Sequence, residues 1–364
     1  MSEIKIAIIT DEDFAIKNNP PFPKPSFISF ESPVRIRFIL NHLEINKFFE
    51  DNRIIKESPK KIDDSIIKLA HSQYHIDSIK RISSMGGGIL SDEIYITSDT
   101  YLLAKKAIGG CIKAIETVVN GLASQSFALI RPPGHHALKE RASGLCIFNN
   151  IANTILYLRK ELKYDKKIAI IDIDNHYGDG LAQYFYEDPS VLYCSIHEFD
   201  FSEGDFGLID ELGQGDGLGK NISFPIPAGS NNDVFYEFID LIEPILYEFQ
   251  PDLMIVAAGF DMYFADPVGN CQFTSIAYYN FTEKILEVAN SVCQGKVAFI
   301  LEGGYSIIGI PYCVEAILRA LLLQSYKPPE FEDIDFTDNT VKEEVMKVKI
   351  ILKKLLTPYW NQLK

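Results

Sequence analysis

Short apolar runs recur along the chain, separated by longer stretches whose apolar positions fall at helical spacing. Runs at residues 4–10, 127–131, 168–174, 191–197, 253–258 and 297–302 are rich in isoleucine, valine and phenylalanine and read as strands. Several are apolar on both faces, the pattern of a parallel strand covered by helices on either side. Helices are expected at 100–120, 149–162, 232–249, 275–293 and 312–323, with a further one at 341–356. Strands alternating with helices of this length predict βαβ units and an α/β fold on a mainly parallel sheet. The proline-rich stretch 20–25 reads as a loop. There is no internal repeat or low-complexity linker. We therefore expect one principal domain over 1–325, with an acidic segment and helix at 326–364 packed against it.

In an open parallel sheet, ligands bind beyond the carboxyl ends of the strands. The chemically informative residues cluster there. Arg131-Pro132-Pro133-Gly134-His135-His136 follows one strand, and Asp172-Ile173-Asp174-Asn175-His176-Tyr177-Gly178-Asp179 ends another. Asp261 follows a third and Tyr305 a fourth. In extended chain, Asp172, Asp174 and His176 would point to one side. Asp174 and His176, with Asp261, make a three-ligand metal set that leaves a position open for water, as a catalytic site requires. A metal there acidifies water and polarises a carbonyl. His135 and His136 suit proton transfer, and Asp172 and Asp179 are spare carboxylates able to fix imidazole tautomers.

Totals narrow the classes. The 364 residues, 47% hydrophobic and 23% charged, are ordinary for a globular protein with a sizeable core. No apolar run reaches the roughly 18 residues of a membrane span, and the N-terminus reads as a strand rather than a signal peptide. The six cysteines show no Cys-x-x-Cys spacing, so reduced, buried thiols and a cytoplasmic location are expected. A net charge of −15 argues against direct nucleic-acid binding and favours encounter with cationic substrates.

Taken together, these motifs resemble the histone deacetylase superfamily, which includes acetylpolyamine amidohydrolases and acetoin-utilisation deacetylase-like proteins. The resemblance runs from about Ser32 to Leu323. It is carried by 131–137, Gly144-Leu145-Cys146-Ile147-Phe148-Asn149-Asn150, 172–180, Ser195-Ile196-His197, Ala258-Gly259-Phe260-Asp261 with Asp266-Pro267, and Leu301-Glu302-Gly303-Gly304-Tyr305. It implies a three-layer α/β/α arginase-like fold and a zinc-dependent amidohydrolase that removes an acetyl group from acetyl-lysine in protein or from an acetylpolyamine. By matching position, the zinc ligands would be Asp174, His176 and Asp261; a site with two carboxylates also suits iron(II), cobalt or manganese. His135 would pair with Asp172, and His136, the general base, with Asp179. Tyr305 would donate to the substrate carbonyl, and the Gly144 carbonyl would accept from the substrate amide. Asp92 resembles a rim aspartate that holds substrate backbone, and Arg35 an arginine lining an internal cavity. A structural potassium site would use Asp172, Asp174, His176, Ser195 and Ile196, and a second Phe185, Asp188 and Val191.

The chain departs from the family pattern in three places. Leu145 stands where a tunnel phenylalanine is usual, Tyr177 replaces a histidine, and Asn175 replaces an apolar residue. Loop 197–213 should supply the opposite tunnel wall, with Phe201 chosen over Phe199 and Phe206. These positions bear on substrate fit rather than on the ligands or proton carriers. A two-manganese ureohydrolase of the same fold would need an Asp-x-Asp pair that Phe260-Asp261-Met262 lacks. The competing class is a catalytically silent binding or scaffold protein of this fold. Oligomeric state is left open.

Overall fold

The computed structural model describes residues 4–21, 30–92, 94–199 and 207–364. Its strands are β1 (Ile6–Ile9), β2 (Ile54–Glu57), β3 (Gly87–Ser91), β4 (Ile94–Thr97), β5 (Gln125–Ala128), β6 (Ile168–Asp172), β7 (Val191–Glu198), β8 (Asn221–Ile226), β9 (Leu253–Ala258) and β10 (Val297–Leu301). Eight form a central, mostly parallel sheet in the order β2-β1-β5-β10-β9-β6-β7-β8, flanked by helices, and β3 and β4 form an antiparallel hairpin.

Chain contacts divide the protein into two compact units interleaved in sequence: 1–165 with 178–184 and 298–307, and 166–177 with 185–297 and 308–364. In the first unit β1 pairs in parallel with both β2 and β5. Helix α1 (Glu12–Ile16) follows β1, and α2 (Pro33–Ile45), α3 (Asp64–Ile67), α4 (Gln73–Ser84), α5 (Thr100–Val119) and α6 (Asn150–Leu162) complete the unit. Gly109 in α5 has no room for a side chain, because a Cβ there would lie 2.0 Å from the Lys60 carbonyl oxygen. In the second unit β6 lies in register between β7 and β9, so that Asp172 is level with Ser195 and Ala257. Helix α7 (Asp179–Phe185) follows β6 in the chain but, save its last residue, belongs to the first unit; α8 (Asp233–Phe249), α9 (Ser275–Val292), α10 (Gly309–Leu321) and α11 (Asn339–Leu356) belong to the second. Among the described residues, no helix is long and apolar enough to cross a membrane.

The strands expected from apolar runs are present with adjusted ends. The run at 127–131 becomes a strand at 125–128, because Pro132 and Pro133 lack the N–H groups a ladder needs and the chain leaves the sheet beforehand. Strands β2 and β8 were not expected. Both are sheet edges: β2 is half exposed, and β8 alternates polar and apolar residues and contains Pro225, which an edge tolerates. Helix α10 begins at Gly309 rather than 312, since Pro311 fits a first turn. Helix α11 begins two residues earlier than expected because Asp338 accepts from Thr340 and Val341 N–H groups as its N-cap. Of the proline-rich stretch, residues 22–25 lie outside the described residues.

Helix α11 buries Val345, Val348, Leu352 and Leu356, a helical stripe, and packs on α8 and β8. Beyond it, Trp360, the chain's single tryptophan, is buried; its indole N–H donates to the Gly219 carbonyl at 2.9 Å and Lys220 Nζ lies 3.8 Å from its ring centre. Trp360→Ala leaves a cavity and an unpaired carbonyl. We expect it to cost about 3–5 kcal/mol of unfolding free energy, measured by urea denaturation followed by circular dichroism.

Candidate active site

In the first unit, the loop after β5 carries His135 and His136 with ring centres 4.1 Å apart. His136 Nδ1 lies 2.8 Å from Asp179 Oδ1, at the first turn of α7, and each side chain is about one-sixth exposed (17% and 16%). That contact engages Nδ1 and so fixes the tautomer and orientation of the imidazole. The loop is held from below by a carboxylate that sequence reasoning did not single out. Glu302, fully buried at the end of β10, accepts from the N–H groups of Gly134 (2.6 Å) and His135 (3.2 Å) through one oxygen. From the other side, Leu181 N–H donates to the His135 carbonyl at 2.8 Å.

Gly144 and Leu145 both adopt left-handed backbone, with φ of 51° and 65°. A Cβ on Gly144 would lie 2.3 Å from His136 Cδ2, so this backbone lies directly against the imidazole and only glycine fits. Leu145 is 5% exposed. Two further histidines, also missed, secure the same loop. His71 accepts the Asn149 N–H at Nε2 (2.8 Å) and contacts the Leu138 carbonyl through Nδ1 (2.9 Å), while His75 Nε2 meets the Ile147 carbonyl (2.9 Å). Neither stands beside a sequence motif, which is why no local signal revealed them.

Tyr305 follows β10 and is 7% exposed, with the Arg35 guanidinium 4.7 Å from its ring centre. Asp92 is exposed at the turn of the β3–β4 hairpin.

In the second unit, β6 ends at Asp172, so the expected extended alternation through His176 does not hold. The chain curls instead: Asp172 Oδ1 accepts from Asp174 N–H (3.2 Å) and Asp174 Oδ1 from His176 N–H (3.0 Å). Carboxylates capturing the N–H two residues on favour turns over strand. This curl still gathers the three expected ligands. His176 Nδ1 lies 3.1 Å from Asp174 Oδ1 and 3.2 Å from Asp261 Oδ2, and all three ligand atoms fall within 4.8 Å of one another. Both carboxylates are fully buried, whereas the imidazole is 37% exposed. Asp261 Oδ1 accepts the Asn175 N–H at 2.8 Å; its buried Oδ2 accepts no hydrogen bond. A Cβ on Gly259 would lie 2.2 Å from Asp174 Oδ2.

Burial, and then the negative charge of Asp174, push the Asp261 carboxyl above the usual carboxylate range. Burial alone would lower His176, but its contacts with Asp174 and Asp261 outweigh that and raise it well above the usual histidine value. Two buried carboxylates converging on one imidazole nitrogen call for a cation. With an oxygen left without a donor, the set fits a divalent metal.

Asp172 Oδ2 accepts from the Tyr193 hydroxyl at 2.9 Å. His135 belongs to the first unit and Asp172 to the second. Of the residues expected around potassium, Ser195 is level with Asp172 on the adjacent strand, and its Oγ lies 3.0 Å from His197 Nδ1. Phe185, Asp188 and Val191 form a tight turn with backbone bonds from Asp188 to Phe185 and from Val191 to Asp188. Phe201 and Phe206 lie outside the described residues; Phe199 is buried.

Two of the departures have partners of their own. Asn175 Nδ2 donates to Glu198 at 3.0 Å, and Glu198 also accepts from the Asn270 backbone and side chain. Tyr177 packs on the His197 ring at 4.9 Å between centres, and its hydroxyl accepts from Asn221 Nδ2 at 3.0 Å.

The histone deacetylase domain model matches residues 29–321. The chain belongs to the histone deacetylase family. It is 33% identical over 301 residues to a probable deacetylase of Archaeoglobus fulgidus, covering 81% of this chain and 83% of that one. It is 34% identical to histone deacetylase HDA1 of Candida albicans over 75% of this chain and 34% of that protein. With histone deacetylase 18 of Arabidopsis thaliana it shares 32% identity over 100% of this chain and 53% of that one. The chain thus spans a third to a half of those fungal and plant relatives. The crystal structure of the HDA15 HD domain superposes with a TM-score of 0.86 at 26% identity, covering 100% of this chain and 97% of that one. The fold is the arginase-like α/β fold of this family, and its members are deacetylase hydrolases.

The His71 contact sets an acid limit. Burial, then the neighbouring His75, depress His71 from 6.5 to about 3, so the folded state holds it neutral while the unfolded chain protonates it. More protons bound on unfolding means that stability is complete above pH 6.5 and is lost as pH falls toward 3. By pH 5 this histidine alone removes about 2 kcal/mol. Urea unfolding at pH 7 and pH 5 should show that loss in the wild type and a smaller one in His71→Gln.

Proposed function

We propose that this family member is a zinc-dependent amidohydrolase that removes an acetyl group from an acetylated amine, with acetyl-lysine in a polypeptide as the favoured substrate. The observation that carries this reading is the convergence of buried Asp174 and Asp261 on His176 Nδ1, an arrangement suited to a divalent cation. Family membership over 29–321 supports assigning that set and the His136–Asp179 pair to one reaction.

Asp174, His176 and Asp261 would hold the zinc. When bound, it supplies Lewis acidity, lowering the pKa of water and polarising a carbonyl. His136, its Nδ1 fixed by Asp179, takes a proton from the attacking water at Nε2. As the C–O bond forms, negative charge builds on the acetyl oxygen, and the Tyr305 hydroxyl donates to it. The C–N bond then breaks, His136 returns the proton to the departing nitrogen, and acetate and free amine result. His135, with its ring against His136, acts electrostatically, with Asp172 as the carboxylate that orients it. The Gly144 carbonyl orients the substrate by accepting its amide N–H. Asp92, exposed on its hairpin, binds substrate backbone at the rim, and the chain's charge of −15 favours a cationic substrate, lysine-rich polypeptide and polyamine alike. Potassium at the Asp172–Ser195 level would stiffen the curl that carries Asp174 and His176.

Acetate release from an acetyl-lysine peptide and from acetylputrescine, measured side by side, tests the reading and its substrate class. His136→Ala should abolish release. Tyr305→Phe should keep its zinc by metal analysis while turnover falls about 10²–10³-fold. Near-normal turnover in Tyr305→Phe, or zinc binding with no release from either substrate, would defeat the assignment.

A further inference from the structure

The first unit buries two guanidinium groups completely, those of Arg35 and Arg131. One carboxylate, Glu31, 2% exposed, serves both. Its two oxygens accept from Arg131 Nε and Nη2, each at 2.7 Å, in the planar fork that makes such pairs strong. Its Oε1 also lies 3.6 Å from Arg35 Nη1, a buried group that makes no hydrogen bond.

Each arginine leads to a different functional element. Arg35 donates through Nε to the Gly304 carbonyl (2.7 Å) and through Nη2 to the Glu302 carbonyl (2.6 Å), and its guanidinium lies 4.7 Å from the Tyr305 ring centre. It therefore fixes the backbone on the N-terminal side of Tyr305 and sets a positive charge against the phenol ring. Arg131 begins the loop that presents His135 and His136. It also donates to the carbonyls of Lys17 (2.7 Å) and Asn18 (3.0 Å). Tyr95 closes the cluster, donating to the Glu31 carbonyl at 2.6 Å and lying 3.3 Å from Arg131 Nη2.

We propose that Glu31 is a positioning residue for the reaction, a buried anion that holds both Arg35 beneath Tyr305 and Arg131 at the root of the histidine loop. The inference rests on the catalytic reading of Tyr305 and His136 given above. Without the carboxylate, Arg131 loses its two-oxygen partner and Arg35 a counter-charge 3.6 Å away, and one or both must move toward water. The elements they anchor then lose their placement. Because Tyr305 acts as charge develops on the acetyl oxygen, the loss falls on kcat rather than KM.

Glu31→Gln keeps the volume and removes the charge. In folded, zinc-loaded protein, kcat on the acetyl-lysine peptide should fall about tenfold or more with KM little changed. In a Tyr305→Phe background the same substitution should cost clearly less than in the wild type, because one of the two elements it positions is already without its acting group. Glu31→Ala opens space beside a small cavity lined in part by Asn18, Tyr95 and Leu145, and formate should restore kcat saturably. Losses that multiply with Tyr305→Phe, or near-normal turnover in Glu31→Gln, would overturn the proposal. If circular dichroism shows that the Glu31 variants are unfolded, Tyr95→Phe, which preserves charge balance, decides the matter. A kcat loss that is smaller in the Tyr305→Phe background than in the wild type supports the proposal, and an unchanged or multiplicative kcat overturns it. A wild type without acetate release defeats the catalytic reading itself; a working wild type with an indifferent Glu31 defeats only this inference.

Discussion

Charge taken out of water organises this protein. Asp172, Asp174, Asp261, Glu302, Arg35 and Arg131 are all buried to zero exposure among apolar strand ends. Such a group costs several kcal/mol unless donors, acceptors or a counter-charge replace its hydration. Each one therefore dictates the chain around it. Asp172 and Asp174 curl the segment after β6, Glu302 gathers the N–H groups of Gly134 and His135, and Arg35 gathers the carbonyls of Glu302 and Gly304. Polar atoms are placed to about a bond length by neighbours that have no other way to satisfy them, which is what catalysis by position requires.

What the sequence discloses follows the range of the interaction. Central strands such as β6 and β9 are apolar on both faces, a one-dimensional pattern, and could be read directly. Edge strands β2 and β8 are half-exposed or interrupted by proline, and were invisible. The Asp174–His176 grouping was legible because both lie on one short segment, and Asp261 because it follows another predicted strand at its carboxyl end. The extended geometry inferred for that segment was wrong, since side-chain capture of backbone N–H groups outcompetes strand at such positions. Glu302, Glu31 and His71 escaped notice for another reason. Their partners stand 168, 100 and 78 positions away, and no spacing rule spans such separations.

The departures from the family pattern also become intelligible locally. Asn175 reaches Glu198, whose other oxygen contacts bind the turn at Asn270, so a polar residue here joins the Asp261 segment to the end of β7. Tyr177 packs at a tilt against His197 and is bonded to Asn221, filling a space lined by rings. Gly207 passes so close that a Cβ would meet both the His197 and Tyr177 rings, at 2.5 and 2.7 Å. Both replacements thus serve the frame around the metal-ligand set. Leu145, buried beside Gly144, presents an aliphatic side chain in place of a ring.

The two compact units are not contiguous stretches of chain. The first takes its Asp179 turn from 178–184 and its Tyr305 strand end from 298–307, while the second resumes in between. His176 and Asp179 are three residues apart yet belong to different units. During synthesis, then, the first unit stays incomplete until residues 298–307 have left the ribosome, long after its own first strands have emerged. Exposed strands waiting for a distant partner are prone to aggregation. Cutting the chain between domains, the usual route to a minimal enzyme, has no place to act here.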